Sequence, residues 1–367
     1  MAVTALVPGR TGASLRTGPD SSEREFVGRT VGSTTPSIRV APASRVEIIR
    51  SNFEAIGVSN QVVSFLLGGT RDSTCSFYQS AWNGWRDWNI RRGSDPLSPN
   101  LTDVLEFLSF LATNGKAYRT VNVYRSMLSS TLGKLDGVKI GKHPLVVRLL
   151  KSIYNHVPPT PKYTGFWDVS TVIRYLSSLG QNESLSFNDL SLKLTMLLAL
   201  SSFCRISELA AIVRASIVVG GSQAKFTLSK PRKTQNGSPL QVICIERLIP
   251  ASSVCPIGTL EAYLAVSERF RQGPKSANLL LGLRAPHHSI GTSSVGRWIK
   301  AVLSKAGVDT STFSAHSTRG AATSNAAAGG VSTDVILRTG SWRSESTFSR
   351  FYRRQVETTS VASTLTG

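Results

Sequence analysis

His316-Ser317-Thr318-Arg319-Gly320 sets a histidine and an arginine three positions apart. At the start of a helix that spacing brings both side chains to one point in space. The apolar periodicity predicts such a helix over 317–328, with others at 257–270, 293–306 and 332–338. Working outward, 216–219, 224–229 and 240–246 read as three short strands. The last two are joined across Lys230-Pro231-Arg232-Lys233-Thr234-Gln235-Asn236-Gly237-Ser238-Pro239, where Asn-Gly and the prolines mark a turn. Before the strands, 192–200 is apolar except for Lys193 and Thr195, as a largely buried helix would be, and Asp168 can cap a helix running to Leu179. This part of the chain is therefore expected to be mainly helical with one small antiparallel sheet.

Further towards the amino terminus, Val157-Pro158-Pro159-Thr160-Pro161-Lys162-Tyr163-Thr164 carries three prolines in eight residues, so its backbone is held extended and cannot continue a helix. It marks a linker over 158–164. Ahead of it, 46–157 reads as a small basic helical domain. Helices are expected near 46–66, 73–90, 120–132 and 145–155, and Leu101, Val104, Leu105, Leu108 and Leu111 form the stripe of another, stopped at Gly115. Residues 1–45 are rich in Ser, Thr, Gly and Pro with scattered Arg, which reads as a mobile basic arm. The domain expected after the linker spans 165–355, and a polar tail occupies 356–367.

Composition narrows the partner. The 367 residues hold 42 Lys+Arg against 22 Asp+Glu, a net charge of +20, divided as +9 up to Thr164 and +11 beyond it. Both halves are basic, so a polyanion touching both is the natural partner, because each phosphate contact releases a condensed counterion. No apolar run reaches the roughly 18–20 residues that span a bilayer. Cys75, Cys204, Cys244 and Cys255 show no CxxC spacing, which suggests neither a disulfide framework nor a zinc ribbon and fits a reducing compartment. His287-His288 reads as a solvated pair in a proline-containing loop rather than a metal site.

Four widely separated features complete the pattern: Arg205 in Cys-Arg-Ile-Ser-Glu-Leu, Lys233 in the turn, His316 with Arg319, and Trp342 followed ten positions later by Tyr352. In this order they resemble the tyrosine recombinase (phage-integrase) family. Gly141-Lys142-His143-Pro144-Leu145-Val146, the proline linker, Phe166-Trp167-Asp168-Val169, Leu190-Ser191-Leu192-Lys193-Leu194, and Gly340-Ser341-Trp342 through Phe351-Tyr352 look, more narrowly, like the recombinases of DIRS-type retroelements. The resemblance covers roughly 46–354.

The chemistry of that family needs these residue types. A phosphodiester repels nucleophiles, so side chains must hold its non-bridging oxygens and absorb the charge of the transition state. Arg205 and Arg319 suit that task, since their planar forks do not deprotonate. His316 would donate to a phosphate oxygen and help manage the nucleophile's proton. The indole N–H of Trp342 can only donate, which suggests a positioning and phosphate-contact role. The resemblance assigns Tyr352 as nucleophile, Lys233 in preference to Lys230 as the acid that protonates the departing sugar oxygen, and Glu208 as a supporting carboxylate.

What the resemblance implies is a two-domain clamp on double-stranded DNA, a helical core-binding domain plus a catalytic domain. The chain would be a site-specific recombinase or integrase acting through a 3'-phosphotyrosyl intermediate, for integration of a mobile element. It would use neither metal nor other cofactor, act as a homo-tetramer on paired sites, have no membrane partner and reside in the nucleus. Lys116, Tyr118, Arg119 and Arg125 are its candidate DNA contacts in the first domain. A catalytically inactive DNA-binding relative and a monomeric type IB topoisomerase are the alternatives.

Overall fold

The computed structural model describes residues 44–351, apart from 161, 162, 164, 236, 238, 251 and 343. The expected arm over 1–45, all but its last two residues, the tail at 356–367 and three residues of the linker lie outside the described residues. The chain divides into two compact units, Met1–Thr160 and Pro161–Gly367.

The first unit is built from α1 (Arg45–Ala55), α2 (Asn60–Gly68), α3 (Asp72–Arg91), α4 (Leu101–Thr113), α5 (Tyr118–Thr131), the hairpin β1 (Lys134–Leu135) and β2 (Val138–Lys139), and α6 (Pro144–His156). The single helix expected over 46–66 is two. Gly57 takes a left-handed φ of +81°, a conformation that costs glycine little, and the Ser59 side chain caps the restarted helix by accepting from Val62 N. The hairpin is an addition to the sequence reading: with only two residues per strand it has no alternation to detect. Its turn is nonetheless encoded, since Asp136 (φ +50°) and Gly137 (φ +76°) adopt the positive angles that a two-residue Asp-Gly loop favours. The core centres on Trp82, Trp85, Trp88 and Phe107. Trp85 meets Phe107 edge to face at 5.0 Å, and its indole N–H donates to the Pro96 carbonyl at 2.9 Å, so the buried ring leaves no polar atom unpaired.

The second unit runs α7 (Val169–Ser178), α8 (Phe187–Ser202), α9 (Ile206–Leu209), β3 (Val218–Val219), β4 (Gln223–Phe226), β5 (Ile243–Glu246), α10 (Pro256–Ser267), α11 (Thr292–Lys305), α12 (Ser317–Ala328), α13 (Thr333–Gly340) and α14 (Glu345–Phe351). The strands form one antiparallel sheet in the order β3-β4-β5, with Ala224 opposite Ile245. The helix expected at 192–200 starts earlier, where Ser186 accepts from Asp189 N. It is buried on every side from Leu190 to Ala199, packed against α10, α11 and α12. Even Lys193 is enclosed; its ammonium donates to the Gly180 carbonyl at 3.0 Å, and burial pushes its pKa down. The strand read at 240–246 begins only at Ile243.

His287 departs from the solvated pair expected of it. Its ring stacks on Phe270 at 4.3 Å, with Nδ1 2.7 Å from the Gly282 carbonyl oxygen, whereas His288 is exposed. The protein is thus mainly α with small antiparallel sheets. Among the described residues no helix is long and apolar enough to cross a membrane.

Candidate active site

The end of α8 delivers the first arginine. Phe203 closes the helix in the left-handed conformation (φ +50°) and turns the chain so that Arg205 becomes the N-cap of α9. Glu208, one turn on, accepts from the Arg205 backbone N–H at 2.9 Å and pairs with Arg205 Nη1 at 2.6 Å. The same carboxylate receives Arg232 Nη2 at 3.1 Å. Burial by itself would raise the Glu208 pKa, but the Arg232 guanidinium and then Arg205 outweigh it and hold the carboxyl below the ordinary value of 4.5.

That sign makes a prediction. A depressed carboxyl contributes stability that is complete above about pH 4.5 and is lost as pH falls through the lower folded value. Glu208→Gln should therefore be less stable than the natural protein at pH 7, by about 2 kcal/mol for charge-assisted hydrogen bonds weakened to neutral ones. The gap should begin to shrink as the pH falls below about 4.5 and go on shrinking as Glu208 becomes protonated in the folded protein. Denaturant melts at pH 7 and pH 3.5 check this; a gap unchanged by pH would show that Glu208 does not titrate with unfolding.

The second arginine comes from α12. His316 occupies the N-cap position, with its side chain exposed, and Arg319 lies in the first turn, 5% exposed. The Arg319 guanidinium stacks 3.9 Å above the Trp342 ring and donates through Nη2 to the Gly340 carbonyl. Trp342 is itself buried in a small cluster with Phe203, Ala322, Ile336 and Phe348. Its ring face therefore supports Arg319 from below. The helix start is pinned from outside by Trp167, whose indole N–H donates to Ser317 Oγ at 3.0 Å.

Arg205, Lys233, His316, Thr318 and Arg319 line one pocket of about 320 Å³, with Ala199, Ile206 and Ile299 among its apolar walls. Four residues named from the sequence thus converge on one cavity. Lys233 reaches it with an exposed side chain, and Lys230, equally exposed, is not among the lining residues. Trp342 stands behind Arg319 rather than in the wall. Tyr352 lies outside the described residues; the chain up to it is carried by α14, with Phe348 fully buried against Trp342 at 5.5 Å.

The sequence reading missed three contributors. Arg232, 2% exposed, sits in a basic run that reads as solvated turn, and only its neighbours in space reveal it as buried. The Thr318 hydroxyl is buried at the pocket with no hydrogen-bond partner among the described residues. Left so it would cost about 1–3 kcal/mol, a cost that a polar ligand would relieve. Gly340 lies so close to Trp342 that any side chain would collide with the ring.

In the first unit, Lys116 and Arg119 are exposed at the start of α5. Tyr118 is half-buried and meets Tyr154 edge to face at 5.2 Å, and Arg125 Nη1 donates to the Gly141 carbonyl at 3.2 Å. Helix α5 begins at Tyr118, two residues before the helix read from the sequence, so Tyr118 and Arg119 belong to its first turn and not to its approach.

No protein-family model matches the sequence, and no curated protein matches it. Solved structures do. The mainly helical fold with small antiparallel sheets matches that of solved tyrosine recombinases. The XerH site-specific recombinase bound to its palindromic difH substrate, in a post-cleavage complex, aligns with a TM-score of 0.55 at 11% identity, over 84% of this chain and 92% of that one. Its pre-cleavage complex gives 0.54 at 11% identity over 85% and 92%. The Tn1549 transposon integrase with transposon right-end DNA gives 0.53 at 13% identity over 84% and 94%.

Proposed function

We propose that this protein is a site-specific DNA recombinase that cuts and rejoins strands by transesterification. Arg205 and Arg319 hold the two non-bridging oxygens of the scissile phosphate, and His316 donates to one of them. The Tyr352 phenol, with an ordinary pKa near 10, passes its proton to the neutral imidazole nitrogen of His316 as its oxygen bonds to phosphorus. The bond from phosphorus to the 5'-oxygen breaks, and Lys233 gives a proton to the departing alkoxide. The products are a 3'-phosphotyrosyl link and a free 5'-hydroxyl. Attack by a partner strand's 5'-hydroxyl reverses the step, so bond energy is conserved through the covalent intermediate.

The observation that carries this reading is the convergence of Arg205, Lys233, His316 and Arg319, from separate stretches of the chain, on one pocket. The fold supports it, as does the excess of positive charge in both halves. Lys116 and Arg119 serve as phosphate contacts of the first domain, with Tyr118 and Arg125 holding the surface that presents them. A homo-tetramer on paired sites, a mobile-element setting of the DIRS type and a nuclear location complete the proposal.

The test is a duplex from a candidate element end, nicked close to the cleavage site so that the short released strand diffuses away. The full chain should become covalently attached to the 3'-phosphate side, and peptide mapping should place the link on Tyr352. Tight binding without any adduct would favour a non-catalytic DNA-binding protein. Relaxation of supercoils without site preference would favour a type IB topoisomerase.

Arg319→Ala should slow adduct formation by roughly 10²–10³-fold, the scale of removing one donor to a developing oxyanion. The footprint should be largely kept, because one phosphate contact is lost among many. Single-turnover cleavage and footprinting on the same DNA separate the two effects. Equal losses in both would reassign Arg319 to binding.

A further inference from the structure

We infer that Arg232 is a positioning residue that presents Lys233 by fixing its loop to the last turn of α13; this rests on the recombinase reading above. The last carbonyls of a helix have no partner within it and carry the negative end of the helix dipole. In α13 three successive ones are satisfied from outside. The Thr339 carbonyl accepts from Arg232 Nη1 at 3.2 Å, the Gly340 carbonyl from Arg319 Nη2, and the Ser341 carbonyl from Thr234 Oγ1 at 2.9 Å. Lys233 is therefore flanked on both sides by residues bonded to the same turn that holds Arg319, while its own side chain stands exposed at the pocket.

Arg232 also reaches in the opposite direction. Its Nη2 pairs with Glu208 Oε2 at 3.1 Å, and Glu208 holds Arg205. Its Nη1 lies 3.3 Å from Gln241 Oε1, an acceptor at the far side of the same hairpin. One buried guanidinium thus ties together the carboxylate that orients the first arginine, the hairpin that carries the lysine and the turn that orients the second arginine. Only a planar, multi-donor group can bridge those acceptors at once; a lysine is a single point charge. The same turn leads on to Trp342, whose ring meets Phe348 of α14 at 5.5 Å.

A bridging role in the proton step separates from a merely structural one by the leaving group. Replacing the 5'-bridging oxygen with sulfur gives a leaving group that needs little protonation, so a defect acting through Lys233 disappears on that substrate. The experiment measures adduct formation by the full chain on nicked oxygen and sulfur substrates, for the natural protein, Lys233→Ala, Arg232→Lys and Thr234→Val. On oxygen, Arg232→Lys should lose on the order of 10²-fold, the scale of general-acid catalysis, and Thr234→Val a smaller factor. On sulfur, Thr234→Val should return to within a few-fold of the natural protein, as Lys233→Ala does. So should Arg232→Lys, whose ammonium keeps a positive partner for Glu208 and loses only the bridge to the hairpin and turn.

A normal rate for Arg232→Lys on oxygen, or a defect that persists on sulfur, overturns the inference while leaving the recombinase reading intact. If Arg232→Lys fails to fold, Thr234→Val decides, since it removes one hydroxyl from a half-buried site: no sulfur-rescued defect there overturns the inference. An absence of adduct from the natural protein on both substrates is the separate failure of the recombinase reading, and the inference falls with it.

Discussion

Tyr352→Phe is expected to bind DNA with an unchanged footprint and to form no covalent adduct. The substitution removes one oxygen and leaves the ring, so the atom proposed to bond phosphorus is gone with little change in side-chain bulk. Removing a covalent nucleophile costs at least ~10⁴-fold, because the residual binding and oxyanion contacts have nothing to act on. The described helix α14 leads directly into this position, with Phe348 locking it against Trp342. Denaturing gels after incubation with nicked duplex give the answer. An adduct at the yield of the natural protein would transfer the nucleophile's role to another side chain and remove the centre of the proposed mechanism.

Gly340→Ala is the second large effect, and it tests packing. A methyl carbon added at Gly340 would lie 1.6 Å from Trp342 Cζ3 and 2.2 Å from Cε3. No rotamer adjustment accommodates an overlap of that depth, so Trp342 must leave the face of Arg319 or the turn must open. Overpacking of this kind is expected to cost about 3 kcal/mol or more. It should also abolish adduct formation, since Arg319 loses either its stacking partner or a correctly placed acceptor. Gly221→Ala is the matched control, because nothing lies within 4 Å of the added carbon, and it should change stability by no more than about 0.5 kcal/mol. Denaturant melts of the two variants side by side measure the difference. Equal stability would mean that Trp342 has another place to pack.

Much of the helical framework was legible in the chain because helix signals are local. Asp168 stands where a cap is expected, and its carboxylate accepts from Ser170 N at 2.9 Å. The apolar run after Leu192 was read as a buried helix, and α8 is the centre of the second unit's core. Reading failed where the signal was short or competed with another. A two-residue hairpin has no period to detect, and Gly57 looks like any glycine until its φ is known.

At the candidate site the limits have a different origin. Arg205, Lys233, His316 and Arg319 are named by residue types in an order that resembles the tyrosine recombinases, a pattern that survives in the sequence alone. Arg232 escaped notice because Lys-Pro-Arg-Lys carries the composition of a solvated turn, and its burial depends on Glu208 and Thr339 arriving from elsewhere in the chain. The indole N–H of Trp342 suggests a positioning and phosphate-contact role; the contact that places the side chain is its ring face beneath a guanidinium, which no local pattern encodes.

By itself, then, the order of residues determined the chemical vocabulary of this protein: an excess of positive charge in both halves, two arginines and a histidine among its candidate site residues, and a helical class with a small sheet. Those are properties of side chains and of local backbone preference, which neighbours in sequence suffice to express. Which of two lysines reaches the pocket, why Gly340 must be glycine and how three carbonyls at the end of α13 gather Arg232, Arg319 and Thr234 were decided only in three dimensions. The reason is that each depends on desolvation and contact between groups far apart in the chain, and no local period or propensity encodes such a meeting.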